Sequence, residues 1–157
     1  MVKIFCDIKK CLGCRTCELA CAIEHTQAKE LFKALQEENL PQARIENEKI
    51  MINNFSFSLT CQHCEDAPCV NACISGAMFK DEKTGETKCD TDKCVGCWMC
   101  IMVCPFGIIK QGKKNAVKCD LCPEREDFAC VASCPTKALF GGTREEFQNK
   151  LNNSTTQ

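Results

Sequence analysis

The chain has 157 residues, about one domain's length, and its 20 basic and 21 acidic side chains leave a formal charge of −1. That balance offers no basic field for nucleic acid or an anionic membrane, and no apolar run reaches the ~18 residues of a spanning helix. The start, MVKIFCDIKK, has no basic region followed by an apolar stretch, so a cytoplasmic protein without a secretory signal is expected.

In chain order, a strand through Cys6 is expected to lead into CLGCRTCELAC at 11–21, whose helix ends at His25, read as structural. Ala28, Leu31, Phe32 and Leu35 then follow i, i+3, i+4, i+7 and predict an amphipathic helix over 26–39. Thr26 would cap it, without an acid three residues on, and Pro41 would end it. Its apolar stripe is expected in the core, with partner docking as the second reading. FSFSLTC alternates Phe55, Phe57 and Leu59, a strand entering the next cysteine run. DEKTGETK at 81–88 predicts a hairpin around Gly85, and IIKQGKKNAVK at 108–118 a second one. Thr143 and Glu146 form a capping box for a last helix, and the tail NNSTTQ is expected to be disordered.

Eighteen cysteines dominate this frame. Without them roughly 53 apolar residues remain, a thin core for one chain. Disulfides would need an oxidising compartment, and no signal leads to one. Sixteen of the cysteines form four runs. Cys11, Cys14, Cys17 and Cys21 are spaced x2, x2, x3, and so are Cys94, Cys97, Cys100 and Cys104. Cys61, Cys64, Cys69 and Cys73 are spaced x2, x4, x3, and Cys119, Cys122, Cys130 and Cys134 x2, x7, x3. Zinc ribbons pair two C-x-x-C knuckles across a longer gap, whereas here a third and a fourth cysteine follow each opening pair.

The x2, x2, x3 run closed by proline is the spacing of bacterial two-cluster ferredoxins. A short loop offers three thiolates to one cube, and the fourth cysteine faces another, so runs come in pairs that exchange their fourth ligands. Four runs then hold four [4Fe–4S] clusters. Prolines follow Cys104 and Cys134, but Cys21–Ala22 and Cys73–Ile74 depart from the pattern. FCDIKKCLGC at 5–14 matches KCDTDKCVGC at 88–97, and VKCDLC at 117–122 echoes both, which reads as internal duplication.

Cys6 and Cys89 each stand five residues before a run's first ligand. They read first as small buried hydrophobes and second as redox or alternative ligands. His63, inside CQHC, is either a cluster-tuning hydrogen-bond donor or a partly exposed loop residue. Trp98 is expected to shield its cluster from water, and Arg15, in the matching place of the first run, to be exposed to a partner.

At CLGCRTCELACAIEH and CVGCWMCIMVCPFG the chain resembles the small four-cluster iron–sulfur subunits that serve molybdenum or tungsten oxidoreductases, hydrogenases and carbon monoxide dehydrogenase. The resemblance covers residues 1 to about 141. Within the group the chain is most similar to the electron-transfer protein that accompanies nickel carbon monoxide dehydrogenase. Cousins accompany formate dehydrogenases, formate-linked hydrogenases and tungsten aldehyde oxidoreductases. The resemblance implies that the first run pairs with the fourth and the second with the third. One cluster would use Cys11, Cys14, Cys17 and Cys134, and its neighbour Cys119, Cys122, Cys130 and Cys21. A third would use Cys61, Cys64, Cys69 and Cys104, and the fourth Cys94, Cys97, Cys100 and Cys73. The implied fold is α+β, loop-rich and held by clusters. A two-cluster ferredoxin-like unit at 57–110 is inserted into an outer unit made of 1–56, with the helix 26–39, and 111–157.

The implied function is electron transfer, with no catalysis by the chain alone. It lacks a G-x-G-x-x-G turn, a phosphate loop and a radical-type C-x3-C-x2-C run, and all sixteen run thiolates are committed to iron. A cluster acting as a Lewis acid, and metal storage or sensing, are the other function classes. The expected donor is carbon monoxide dehydrogenase or a cousin dehydrogenase. The expected acceptor is a hydrogenase or a flavin-dependent NAD(P) oxidoreductase. Four oxidised clusters at −2 each bring the charge to about −9, so basic partner surfaces are expected.

Overall fold

The computed structural model describes residues 1–38, 42–50 and 55–154. In chain order its elements are β1 (Lys3–Cys6), α1 (Thr16–Glu24), α2 (Leu31–Ala34), β2 (Ile45–Ile50), β3 (Phe55–Thr60), α3 (Pro68–Asn71), β4 (Met78–Lys80), β5 (Thr87–Cys89), α4 (Met99–Met102), β6 (Lys110–Gln111), β7 (Ala116–Val117), α5 (Ala129–Ala132), β8 (Leu139–Gly142) and α6 (Arg144–Ser154). This is a small α+β fold in which the strands form two-stranded antiparallel ribbons.

Two ribbons follow one plan. β1 leads into the first run and pairs with β8, which follows the fourth run, in the register Cys6↔Leu139. β5 leads into the third run and pairs with β4, which follows the second, in the register Cys89↔Met78. Each ribbon ends in the same hydrogen bond. Asp7 N–H donates to the Ala138 carbonyl and Asp90 N–H to the Ala77 carbonyl, both at 2.8 Å. Each aspartate then caps its turn, Oδ1 accepting from Lys9 N–H or Asp92 N–H at 3.0 Å. The connections are filled by β2–β3 and by β6–β7, the second expected hairpin.

The first and third runs also share backbone geometry. Gly13 and Gly96 both have φ 68°, and Arg15 and Trp98 follow at φ 60° and 63°, immediately before α1 and α4. Gly13 is required twice over. Its φ is left-handed, and a Cβ there would lie 2.6 Å from Ser56 Oγ. α1 continues to Glu24, past Cys21–Ala22, where the first run lacks a proline.

The core is sulfur-rich. One cluster of buried side chains joins Ile4, Ile45, Ile108 and Leu139 to Cys17, Cys21, Cys61, Cys119, Cys130 and Cys134. A second joins Met78 and Ile109 to Cys69 and Cys100. Cys104 packs against both. Outside them Phe147 of α6 stacks on Phe5 at 5.0 Å and on Phe140 at 6.0 Å, which lays the last helix across β1–β8.

Several expectations change. The helix expected over 26–39 is only the turn Leu31–Ala34 among the described residues. Thr26 Oγ1 accepts from Lys29 N–H at 3.0 Å and donates to the Ile23 carbonyl, and Lys29 sits at φ 49°, which a helix does not tolerate. The stripe is not core. Phe32 is 73% exposed and Leu35 61%, while Ala34 is buried. Pro41 lies outside the described residues. β3 forms as expected, but Ser56, Ser58 and Thr60 make its buried face. The expected capping box is present, with Thr143 N–H donating to Glu146 Oε2 at 2.7 Å and Glu146 N–H to Thr143 Oγ1 at 3.3 Å. α6 runs on through Asn152, Asn153 and Ser154, part of the tail expected to be disordered.

Candidate metal centres

All eighteen cysteines are free thiols, and of the sixteen in runs only Cys14 and Cys97 are exposed. The thiols come together across runs. Burial pushes the Cys130 thiol up, and the neighbouring Cys119, Cys21 and Cys122 push it further. Burial takes Cys119 up to about 12, with Cys21 adding to it. Cys69 is pushed up to about 11 by burial and then by Cys61 and Cys104. Cys100 is raised by burial, with Cys94 and Cys73 adding to it. Hydrogen bonds from Thr16 hold Cys14 below the usual thiol range, against an opposing effect from Cys134.

Backbone and hydroxyl donors converge on the sulfurs. Arg44 N–H donates to Cys21 Sγ at 3.3 Å and Met78 N–H to Cys73 Sγ at 3.2 Å. Ser75 Oγ lies 3.7 Å from Cys73 Sγ, and Thr136 Oγ1 lies 3.7 Å from Cys134 Sγ, two residues on in each case. Burial pushes both thiols up, but these bonds outweigh it and hold them below the usual range. Ser58 Oγ on β3 stands 3.4 Å from Cys17 Sγ and accepts from Asn47 Nδ2 at 3.0 Å. Ser58, on the hydroxyl face of β3, is thus turned to sulfur, where its Oγ finds partners that hydrocarbon would deny it, whereas the buried Thr60 Oγ1 has none among the described residues.

Cys6 and Cys89 lie on strands, half-buried, and burial lifts them to about 12 and about 11. His63 is not the partly exposed residue of the second reading. It is 1% exposed, its Nδ1 accepts from Thr87 N–H at 3.1 Å, and its Nε2 has no partner. Trp98 is half-buried with its ring over Gly96, and Arg15 is exposed.

Three residues escaped the sequence reading. Asp120 accepts from His25 Nε2 at 3.1 Å and from Arg44 Nη1, beside Cys21 and Cys122. Burial pushes the Asp120 carboxyl up, but His25 and Arg44 outweigh it and hold the group well below the usual range. Lys118 is buried against Thr87 and Cys119 carbonyls. The CD pair shared by 6–7, 89–90 and 119–120 was the available signal for Asp120, but it conceals two roles. All three cap the turn that follows, Cys122 N–H donating to Asp120 Oδ1 at 3.3 Å, and Asp120 in addition meets His25 and Arg44 from distant segments.

The 4Fe-4S dicluster domain family matches residues 52–144, more than half of the sequence. The protein belongs to this family. It is 36% identical to the electron transport protein HydN of Escherichia coli strain K12, over 92% of this chain and 90% of that protein. It is 35% identical to the "Iron-sulfur protein" of Rhodospirillum rubrum, over 88% and 80%. It is 34% identical to the thiosulfate reductase electron transfer subunit PhsB of Salmonella typhi, over 89% and 74%. A chain of the active-site complex BamBC of benzoyl coenzyme A reductase with 1,5-dienoyl-CoA shares the fold, with TM-score 0.51 and 22% identity over 90% of this chain and 75% of that one.

The protein is therefore an iron–sulfur electron-transfer protein of oxidoreductase systems rather than a catalytic subunit. Its residues fit [4Fe–4S] clusters, since the free thiols converge in buried groups and N–H donors point at their sulfurs. No helix among the described residues is long and apolar enough to cross a membrane.

Proposed function

We propose that the chain holds four [4Fe–4S] clusters and relays low-potential electrons from a carbon monoxide dehydrogenase to a hydrogenase or NAD(P) oxidoreductase. The ligand sets are Cys11, Cys14, Cys17 and Cys134; Cys119, Cys122, Cys130 and Cys21; Cys61, Cys64, Cys69 and Cys104; and Cys94, Cys97, Cys100 and Cys73. The observation that carries the reading is the packing of thiols across runs, Cys17 and Cys21 with Cys119, Cys130 and Cys134 in one buried cluster, and Cys64, Cys69 and Cys73 with Cys100 and Cys104 in the other. The matched ribbons β1–β8 and β4–β5 support an inserted, duplicated unit.

When bound, the clusters supply one-electron redox chemistry. The chain's part is to hold their irons on thiolates, to aim N–H and hydroxyl groups at sulfur, and to exclude water. Arg44 N–H and Met78 N–H stabilise negative charge at Cys21 and Cys73. Cys14 and Cys97 are the exposed run thiols and mark the ports where electrons enter and leave. Leu12, Val95 and Met102 are exposed around them, an apolar rim suited to brief docking.

The test is anaerobic. Reconstituted protein is mixed with carbon monoxide dehydrogenase and carbon monoxide, and bleaching of the visible iron–sulfur absorbance is followed. Formate or aldehyde with their own dehydrogenases serve as parallel arms. Fast bleaching with carbon monoxide alone is expected. Fast bleaching only in another arm would move the protein to a formate- or aldehyde-linked system and leave its electron-transfer role intact.

A further inference from the structure

Lys118 is 4% exposed, yet its ammonium makes no ion pair with a carboxylate among the described residues. Its Nζ donates to the Cys119 carbonyl at 2.8 Å and to the Thr87 carbonyl. Thr87 is 1% exposed, and its own N–H donates to His63 Nδ1 at 3.1 Å. One residue of β5 thus ties the second run, through His63, to the threshold of the fourth, through Lys118. Burying an ammonium against carbonyl dipoles alone is costly. Lys118 thus lies against the backbone of Cys119, in the fourth run, and Thr87 joins it to His63, which stands between Cys61 and Cys64 of the second run.

We infer that Lys118 is the buried counter-cation of two cluster sites, the one using Cys69 and the one using Cys119, and that its charge holds both at higher reduction potential than they would otherwise have. The inference rests on the four-cluster reading. Reduction by one electron adds one negative charge at a site. A fixed ammonium stabilises that added charge directly, with no proton taken up. Lys118 is a positioning residue, acting through the field rather than by ligation. Thr87 and His63 fix where the field is centred.

The experiment is a dye-mediated anaerobic titration with dithionite, followed by electron paramagnetic resonance, on wild type, Lys118→Met and Lys118→Arg. Iron and sulfide are counted on the same samples. A wild type with fewer than about sixteen irons would fail the four-cluster reading itself, separately from this one. With the full count, Lys118→Met is expected to oppose reduction at two sites by tenfold or more, ~59 mV downward, with the other two moving less. Lys118→Arg keeps the wild-type potentials. Fully loaded Lys118→Met with unchanged potentials, or with all four shifted alike, would overturn the inference. If Lys118→Met does not load, loading of Lys118→Arg supports a requirement for charge, and failure of both overturns it.

Discussion

Cys6 and Cys89 occupy the same place in two separate ribbons. Cys6 ends β1 opposite Leu139, and Cys89 ends β5 opposite Met78. Each is followed by an aspartate that closes its ribbon at 2.8 Å. Burial lifts both thiols, to about 12 and about 11, as it lifts several thiols of the runs, and what sets Cys6 and Cys89 apart is their place on paired strands ahead of the runs. Cys6→Ala and Cys89→Ala are expected to retain full iron and sulfide content, with a stability loss of ~1 kcal/mol. Loss of about four irons from either variant would make that cysteine a ligand.

The proposed exchange of fourth ligands has a spectroscopic consequence. Cys73→Ser should alter the same paramagnetic signal as Cys97→Ser, although the two residues are in different runs. Cys104→Ser should likewise share its signal with Cys64→Ser. Pairing within runs would instead couple Cys73 with Cys64 and Cys104 with Cys97, and low-temperature spectra of the four variants distinguish the two patterns.

Gly13 and Gly76 separate backbone strain from crowding. Both have φ near +65°, but a Cβ at Gly13 meets Ser56 Oγ at 2.6 Å and one at Gly76 meets nothing within 4 Å. Gly76→Ala should cost ~1 kcal/mol from the left-handed backbone alone. Gly13→Ala should cost roughly 1–3 kcal/mol more, because Ser56 is buried and cannot move away freely. Thermal melts followed by loss of cluster absorbance check the ranking.

His25 carries a pH signature. Burial opposes its charge, but hydrogen bonds to Asp120 and Cys21 outweigh this and raise it from 6.5 to about 10. The folded state therefore binds a proton that the unfolded chain releases near 6.5. The stabilisation is fully present below that pH and is lost as pH rises through about 10. Asp120→Asn removes the carboxylate charge that faces both His25 and Arg44 and turns one of its two acceptor oxygens into a donor. It should flatten this alkaline loss of stability and lower stability at pH 7 by about 1–3 kcal/mol. Melting temperatures from pH 6 to 10 for both proteins test the sign and the size.

Much of this protein was legible as a string because its signals are local. Cysteine spacing names the metal chemistry, Gly85 marks the β4–β5 turn, and Thr143 with Glu146 marks the start of α6, since each depends on neighbours a few residues away. The helix expected over 26–39 failed for an equally local reason. The Thr26 hydroxyl competes for Ile23 and Lys29 backbone groups, and that competition outweighs a good apolar periodicity.

What only the tertiary structure decided concerns contacts between distant segments. The alternation in FSFSLT correctly announced a strand but not that its serines would face inward, because that depends on Cys17 and Asn47 waiting there with groups that pair with a hydroxyl. Nothing near Arg44 in the sequence announces Asp120, and nothing near Thr87 announces His63 or Lys118. His63, Thr87 and Lys118 are buried and Arg44 and Asp120 half-buried, and the hydrogen bonds that hold them come from segments far away in the chain. Sequence by itself pointed to iron–sulfur chemistry, and the folded chain determined which charges and hydrogen bonds surround the cysteines.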